Sequence, residues 1–135
     1  NSFGYPKRAA SGFYLNRLNL LFAVLTRKTK LDLSEFDVYI KIVGGIKINE
    51  PAADLAVCMA IASAARGLKL KDDAVVFGEV GLSGEVRHVP SVEKRLSEVK
   101  KLGFSCAVGP HADVKSTLLK PVASLKDALN TYLKN

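Results

Sequence analysis

A mixed α/β chain of the α+β sandwich kind is predicted from three observations. Helical and strand-like apolar spacings alternate irregularly, an antiparallel hairpin is expected near residues 76–89, and no stretch repeats another. With 135 residues, 48% of them hydrophobic and 24% charged, the chain is long enough to bury a core as a single domain spanning 1–135. No apolar run is long enough for a membrane span, and the opening Asn1-Ser2-Phe3-Gly4 has no signal-peptide pattern. The absence of an initiator Met leads us to expect a fragment of a longer protein.

Residues 3–12 read as extended up to Gly12. A helix follows, because Tyr14, Leu18, Leu21, Phe22 and Leu25 recur at helical spacing, with Arg27, Lys28 and Lys30 at its C-terminal end. Asp37 to Val43 alternates, with Val38, Ile40 and Ile42 against Tyr39 and Lys41, which predicts a strand. Gly44-Gly45 breaks it, and Ile46-Lys47-Ile48 can resume extended. Pro51 suits the first position of a second helix that Gly67 ends in a left-handed cap. The stretch Ala52 to Ala62 is apolar nearly all round and rich in small residues, as in a helix covered on several sides. A buried strand is expected at Ala74 to Phe77 and a short one at Glu85 to Val89. Ser91 is the expected cap of a third helix striped by Val92, Leu96 and Val99 and stopped by Gly103. Ser105 to Val108 is a further strand. Ser124 caps a last helix, with Asp127 three residues on and Leu125, Ala128, Leu129 and Tyr132 toward the core.

Cys58 and Cys106 each sit in apolar surroundings and read as buried thiols in a reducing compartment. They form neither a disulfide framework nor a metal site. No Walker A pattern occurs, His88 and His111 stand alone, and the glycine-rich turns lack the spacing of a dinucleotide fingerprint. The net charge of +7 is uneven. Residues 1–30 carry Lys7, Arg8, Arg17, Arg27, Lys28 and Lys30 and no acid; residues 1–47 hold eight basic against three acidic residues. A polyanion partner and a merely solvated basic face both account for this excess.

Asn49-Glu50-Pro51-Ala52-Ala53-Asp54-Leu55-Ala56, Phe77-Gly78-Glu79-Val80-Gly81-Leu82-Ser83-Gly84-Glu85-Val86-Arg87, Glu93-Lys94-Arg95-Leu96 and Lys101-Leu102-Gly103-Phe104 follow one another in a known order. Together they resemble the Lon protease domain. The resemblance is much closer to the C-terminal Lon-protease-like domain of the bacterial RadA (Sms) family of DNA repair proteins, which Ser2 to Arg8 and Asn16-Arg17-Leu18 also resemble. It covers essentially the whole chain and implies a Lon proteolytic-domain-like fold of the ribosomal protein S5 domain 2-like type.

The resemblance also says where catalysis would sit. A Lon protease uses a Ser nucleophile and a Lys base. The Ser position falls on Ala52 and the Lys position on Arg95, a guanidinium that stays protonated at any working pH. No catalytic residue is therefore expected in this domain. Proteins of the resembled family work as hexameric rings. Their RecA-like ATPase motor and its zinc-binding segment precede this domain, so ATP, magnesium and zinc are expected in those domains and no cofactor here. The resemblance further implies DNA, single-stranded or branched, as a partner, with a RecA-type recombinase as a further candidate, no membrane and a cytoplasmic location. On that reading Lys7, Arg8, Arg17 and Lys47 contact phosphates, with Lys41 as a weaker candidate. Arg17 has a competing use in an ion pair or a loop cap, and Lys41 in the solvated face of a strand. Glu50 and Asp54 are candidate partners across a subunit boundary, or simply first-turn acids favoured by the helix dipole. Tyr14 stands where the family pattern has an acid.

Overall fold

Leu18, Leu21, Val24 and Leu25 fall on one face of a helix, and burying that face organises the first half of the molecule. The computed structural model describes residues 8–11, 15–31, 38–41, 50–70 and 73–135. In it, helix α1 runs Leu15–Lys28 and closes on Arg27 and Lys28, at the negative end of its dipole. Strand β1 (Arg8–Ser11) precedes it and β2 (Val38–Lys41) follows. The two strands pair in parallel, with Arg8 opposite Val38 and Ser11 opposite Lys41, so β1, α1 and β2 make a crossover unit. The expected features at Tyr14, Gly44-Gly45 and Ile46 to Ile48 lie outside the described residues.

Pro51 opens a short 3-10 turn, Pro51–Ala53, which runs into α2 (Asp54–Arg66). Gly67 ends the helix at φ 65°, and the Leu68 N–H donates to the Ser63 carbonyl at 3.0 Å. This is the left-handed ending that the glycine predicts. Asp54, Leu55, Cys58, Met59, Ile61 and Ala62 are all buried.

The strand at Ala74–Val76 (β4, after a two-residue β3 at Lys69–Leu70) opens the second half. A hairpin of β5 (Glu79–Val80) and β6 (Val86–Arg87) follows, with Glu79 opposite Arg87 and Val80 opposite Val86. Next come α3 (Val92–Lys101), β7 (Cys106–Gly109), β8 (Leu119–Pro121), α4 (Leu125–Tyr132) and β9 (Leu133–Lys134), the last antiparallel to β3. Strands β4, β7 and β8 form a parallel sheet in that order. Alternation then divides the core. Val76 and Val108 join α1, α2 and α4, whereas Val75, Ala107 and Leu119 pack with Val92, Leu96 and Val99 of α3. The sheet thus lies between two apolar clusters, and the fold is mixed α/β with parallel pairing, as expected.

Two local expectations are corrected. The strand predicted at Glu85 to Val89 is only Val86–Arg87, because Glu85 makes a single bridge to Ser124 and the Val86 N–H turns to the Ala123 carbonyl at 2.9 Å. Ser91 does not cap α3. Its backbone is left-handed (φ 62°, ψ 39°) and its side chain makes no cap bond, since capping requires an extended residue that turns its hydroxyl toward the first amides. Gly103 does stop α3: it takes φ 83°, its N–H donates to Lys100, and the Phe104 N–H donates to Val99 at 3.2 Å. Ser124 is extended, and its hydroxyl accepts from the Asp127 N–H at 3.0 Å. That cap stands as expected.

Candidate functional site

The entry to α2 is where the sequence-predicted residues converge. The turn at Pro51–Ala53 is fastened to the segment before β5: the Gly78 N–H donates to the Ala52 carbonyl at 2.8 Å, and the Leu55 N–H donates to the Gly78 carbonyl at 3.0 Å. Gly78 makes this approach possible. It takes φ 152°, and a Cβ there would lie 2.9 Å from Cγ1 of Val86.

On one side of this turn stand Ala52 and Arg95, the two positions that the Lon resemblance assigns to a catalytic dyad. Ala52 is buried in the apolar cluster of Phe77, Val89, Val92, Leu96, Val99 and Ala107. Arg95, on α3, pairs through Nη2 with Oε1 of Glu50 and donates from Nε to the Pro90 carbonyl at 2.9 Å. Its guanidinium carbon lies 5.8 Å from the Phe77 ring centroid, within cation–π range. Neither position carries a nucleophile or a base. The place is filled instead by an ion pair laid over an apolar floor.

On the other side lies a second, deeper pair. Asp54 is fully buried at the start of α2. Nε of Arg17 donates to Oδ1 of Asp54 at 3.0 Å, Nη2 engages Oδ2, and the Val80 N–H donates to the same Oδ2 at 3.0 Å. Glu79 Oε1 lies 3.9 Å from the Arg17 guanidinium. A buried carboxylate needs this degree of satisfaction, because an unpaired one is expensive to desolvate. The bond to Asp54 also raises the pKa of Arg17, against the opposing effect of burial. Cys58, one turn further along α2, has its thiol pKa pushed up, first by burial and then by the Asp54 charge, and is a packing group rather than a nucleophile.

The two carboxylates expected to pair across a subunit boundary therefore have partners within the chain. Asp54 is enclosed and gripped by Arg17, and half-exposed Glu50 is held by Arg95. Of the expected DNA-contacting residues, Arg17 carries this internal bond, while Arg8 and Lys41 occupy opposite ends of the β1–β2 ladder. Lys7 and Lys47 lie outside the described residues. Among the described residues no group of three His, Cys, Asp or Glu side chains is placed to hold a metal, and no helix is long and apolar enough to cross a membrane. Sequence reasoning missed Phe77 as the floor under Arg95 and Glu79 as a second acid near Arg17. The alternation through Val75 and Phe77 was the available signal for the first, and nothing local signalled the second.

Residues 24–113 match the family described as subunit ChlI of Mg-chelatase. The chain is 46% identical over 132 residues to DNA repair protein RadA of Salmonella typhimurium and 44% identical over 132 residues to that of Escherichia coli. Each alignment covers 94% of this chain and 29% of the relative. Against DNA repair protein RadA of Bacillus subtilis the identity is 42% over 138 residues, covering 98% of this chain and 30% of the relative. The chain thus spans under a third of the length of these relatives. With its Lon-like motifs in order and its α/β core built around the entry to α2, the chain belongs to the ChlI family, on the branch whose curated relatives are named DNA repair protein RadA.

Proposed function

We propose that this domain is a nonproteolytic oligomerisation scaffold and DNA-contacting module of a RadA-type, ATP-dependent DNA repair and branch-migration motor. The observation that carries the reading is the Glu50–Arg95 pair beside buried Ala52, which occupies the dyad position in a chain so similar to DNA repair proteins. The fold is kept where the chemistry is not, and assembly is a reason to keep it.

The DNA-contacting part rests on the basic excess of residues 1–47. Because Arg17 is engaged by Asp54, the contact falls on Lys7, Arg8, Lys41 and Lys47, which bind phosphates without reading sequence. The domain works in the cytoplasm within a hexameric ring, with ATP, magnesium and zinc held by adjoining domains and a RecA-type recombinase as a partner of the motor.

Light scattering and fluorescence anisotropy test this together. A hexamer that binds single-stranded DNA, with affinity falling steeply as salt rises, supports it. Changing Lys7 and Arg8 to Glu weakens binding and flattens the salt slope by about one per lost phosphate contact. A monomer indifferent to DNA overturns both halves, whereas a ring whose DNA affinity ignores these changes leaves a purely structural assembly domain. Arg17's engagement with Asp54 favours that second reading to the extent that it removes one basic candidate. Cleavage of labelled casein would overturn the nonproteolytic assignment.

A further inference from the structure

At the opposite end of α2 from Asp54, three cations converge on one cavity. It is a half-open cleft of about 250 Å³, lined by buried Thr29 and Leu129 and by exposed Lys30, Arg66, Lys126 and Asn130. Among the described residues no acidic side chain lines it, and none of the three cations has a carboxylate at ion-pair distance.

Helix dipoles explain two of these cations and not the third. Arg66 ends α2 and Lys30 follows α1, both at negative helix ends where a cation is favoured. Lys126 stands in the first turn of α4, next to its Ser124 cap, at the positive end where a cation is disfavoured. Bringing it to Lys30 and Arg66 adds like-charge repulsion, and a cleft of one sign concentrates counter-ions. Buried Leu129 forms the apolar wall. The Thr29 hydroxyl is already committed, donating to the Leu25 carbonyl at 2.6 Å and accepting from the Leu31 N–H at 3.3 Å, so it shapes the cavity instead of binding. Arg66 supplies a planar fork, Lys30 and Lys126 supply point charges, and Asn130 carries an amide.

We infer that this cavity binds a compact phosphate-type oxyanion, a free anion of pyrophosphate size. Among the described residues, its lining of three cations, an amide, a threonine and a leucine offers no aromatic side chain on which a base could stack, which suits a small anion better than a base with its sugar. The proposed DNA contacts fall on Lys7, Arg8, Lys41 and Lys47, none of which is among the described residues that line this cleft.

The test is calorimetric titration of the chain with sodium pyrophosphate at fixed ionic strength, with chloride as the control anion and amide chemical shifts followed in parallel. One saturable site is expected, with shifts centred on Lys30, Arg66 and Asn130. Lys126→Gln removes one charge-assisted contact and should weaken binding roughly tenfold. Adding Lys30→Gln and Arg66→Gln should abolish it; the single variant suffices if this triple variant fails to fold. Unsaturable heat, a response equal to that of chloride, or unchanged affinity in Lys126→Gln overturns the site. A short single-stranded oligonucleotide that displaces pyrophosphate and binds these residues more tightly overturns the small-anion assignment in favour of a nucleic-acid path.

Discussion

Arg17 of α1 clasps Asp54, the first residue of α2, with two guanidinium nitrogens, and the Val80 N–H of the hairpin completes the carboxylate's shell. Three elements far apart in sequence are thus tied at one buried anion. The pair does not add stability simply by being ionic, because desolvation offsets much of the attraction. Its effect shows when half of it is removed.

Arg17→Met should destabilise the chain by about 3 kcal/mol, near the lower end of the range for breaking a buried pair, since Arg17 is partly exposed. Arg17→Lys should recover only part of this, having lost the two-pronged geometry. Arg17→Met combined with Asp54→Asn should recover more than half, because the charge is gone while an amide oxygen still accepts from Val80. Urea denaturation of the three variants measures this. Simple additivity in the double variant would show that the two side chains do not depend on each other.

Cys58 gives the fold an alkaline weakness. Burial holds its thiol neutral in the folded chain, while in the unfolded chain it ionises near its ordinary value of 9.0. The unfolded state therefore binds fewer protons above that pH, and stability is full below about 9 and falls as pH rises through it. The slope attributable to one thiol is at most about 1.4 kcal/mol per pH unit. Thermal melts of the wild type and of Cys58→Ala between pH 8 and 10 should converge as pH rises, since the variant lacks the titrating group. Parallel melting curves would remove the argument. Arg17 adds no slope in this window, because the bond to Asp54 raises its pKa and its contribution stays intact throughout that alkaline range.

The two serines expected to cap helices separate what sequence can and cannot tell. Ser124 caps α4, so Ser124→Ala should cost about 1 kcal/mol. Ser91 holds φ 62° without a cap bond, so Ser91→Gly should be neutral or stabilising by up to about 1 kcal/mol. Guanidinium denaturation of both variants checks the contrast. A loss in Ser91→Gly equal to that in Ser124→Ala would mean the hydroxyl of Ser91 matters after all.

That contrast has a general cause. Helix positions, the Gly67 and Gly103 stops and the buried strand Cys106–Gly109 were legible because each follows from spacing or backbone freedom within a few residues, whereas Ala74–Val76, expected to be buried, is only half-buried. The conformation of Ser91 was not legible, since it depends on how the chain turns from Pro90 into α3 while Arg95 reaches back to the Pro90 carbonyl. The Lon resemblance assigns Ala52 and Arg95 to the dyad positions, and the structure sets both at the same turn before α2. The partner each acid would choose was not legible. Asp54 and Arg17 stand 37 positions apart and Glu50 and Arg95 stand 45 apart, and only the folded approach of α1 to α2, and of Arg95 on α3 to the residue before the Pro51 turn, decides those pairings.

The filled dyad position leads to the last prediction. Restoring both residue types with Ala52→Ser and Arg95→Lys should yield no peptidase activity on labelled casein. A lysine at 95 would face Glu50, and a nearby carboxylate stabilises the protonated amine, whereas a Ser–Lys pair needs a desolvated, neutral one. The new hydroxyl would enter the apolar cluster around Phe77 and Val92, at a cost of about 1–3 kcal/mol if it finds no partner. Adding Glu50→Gln removes the charge that holds the lysine protonated. Casein hydrolysis appearing only in this triple variant would identify Glu50 as the lock on the site. Hydrolysis already present in the double variant would show that Glu50 is no obstacle and that replacement of the two dyad residues alone had silenced it.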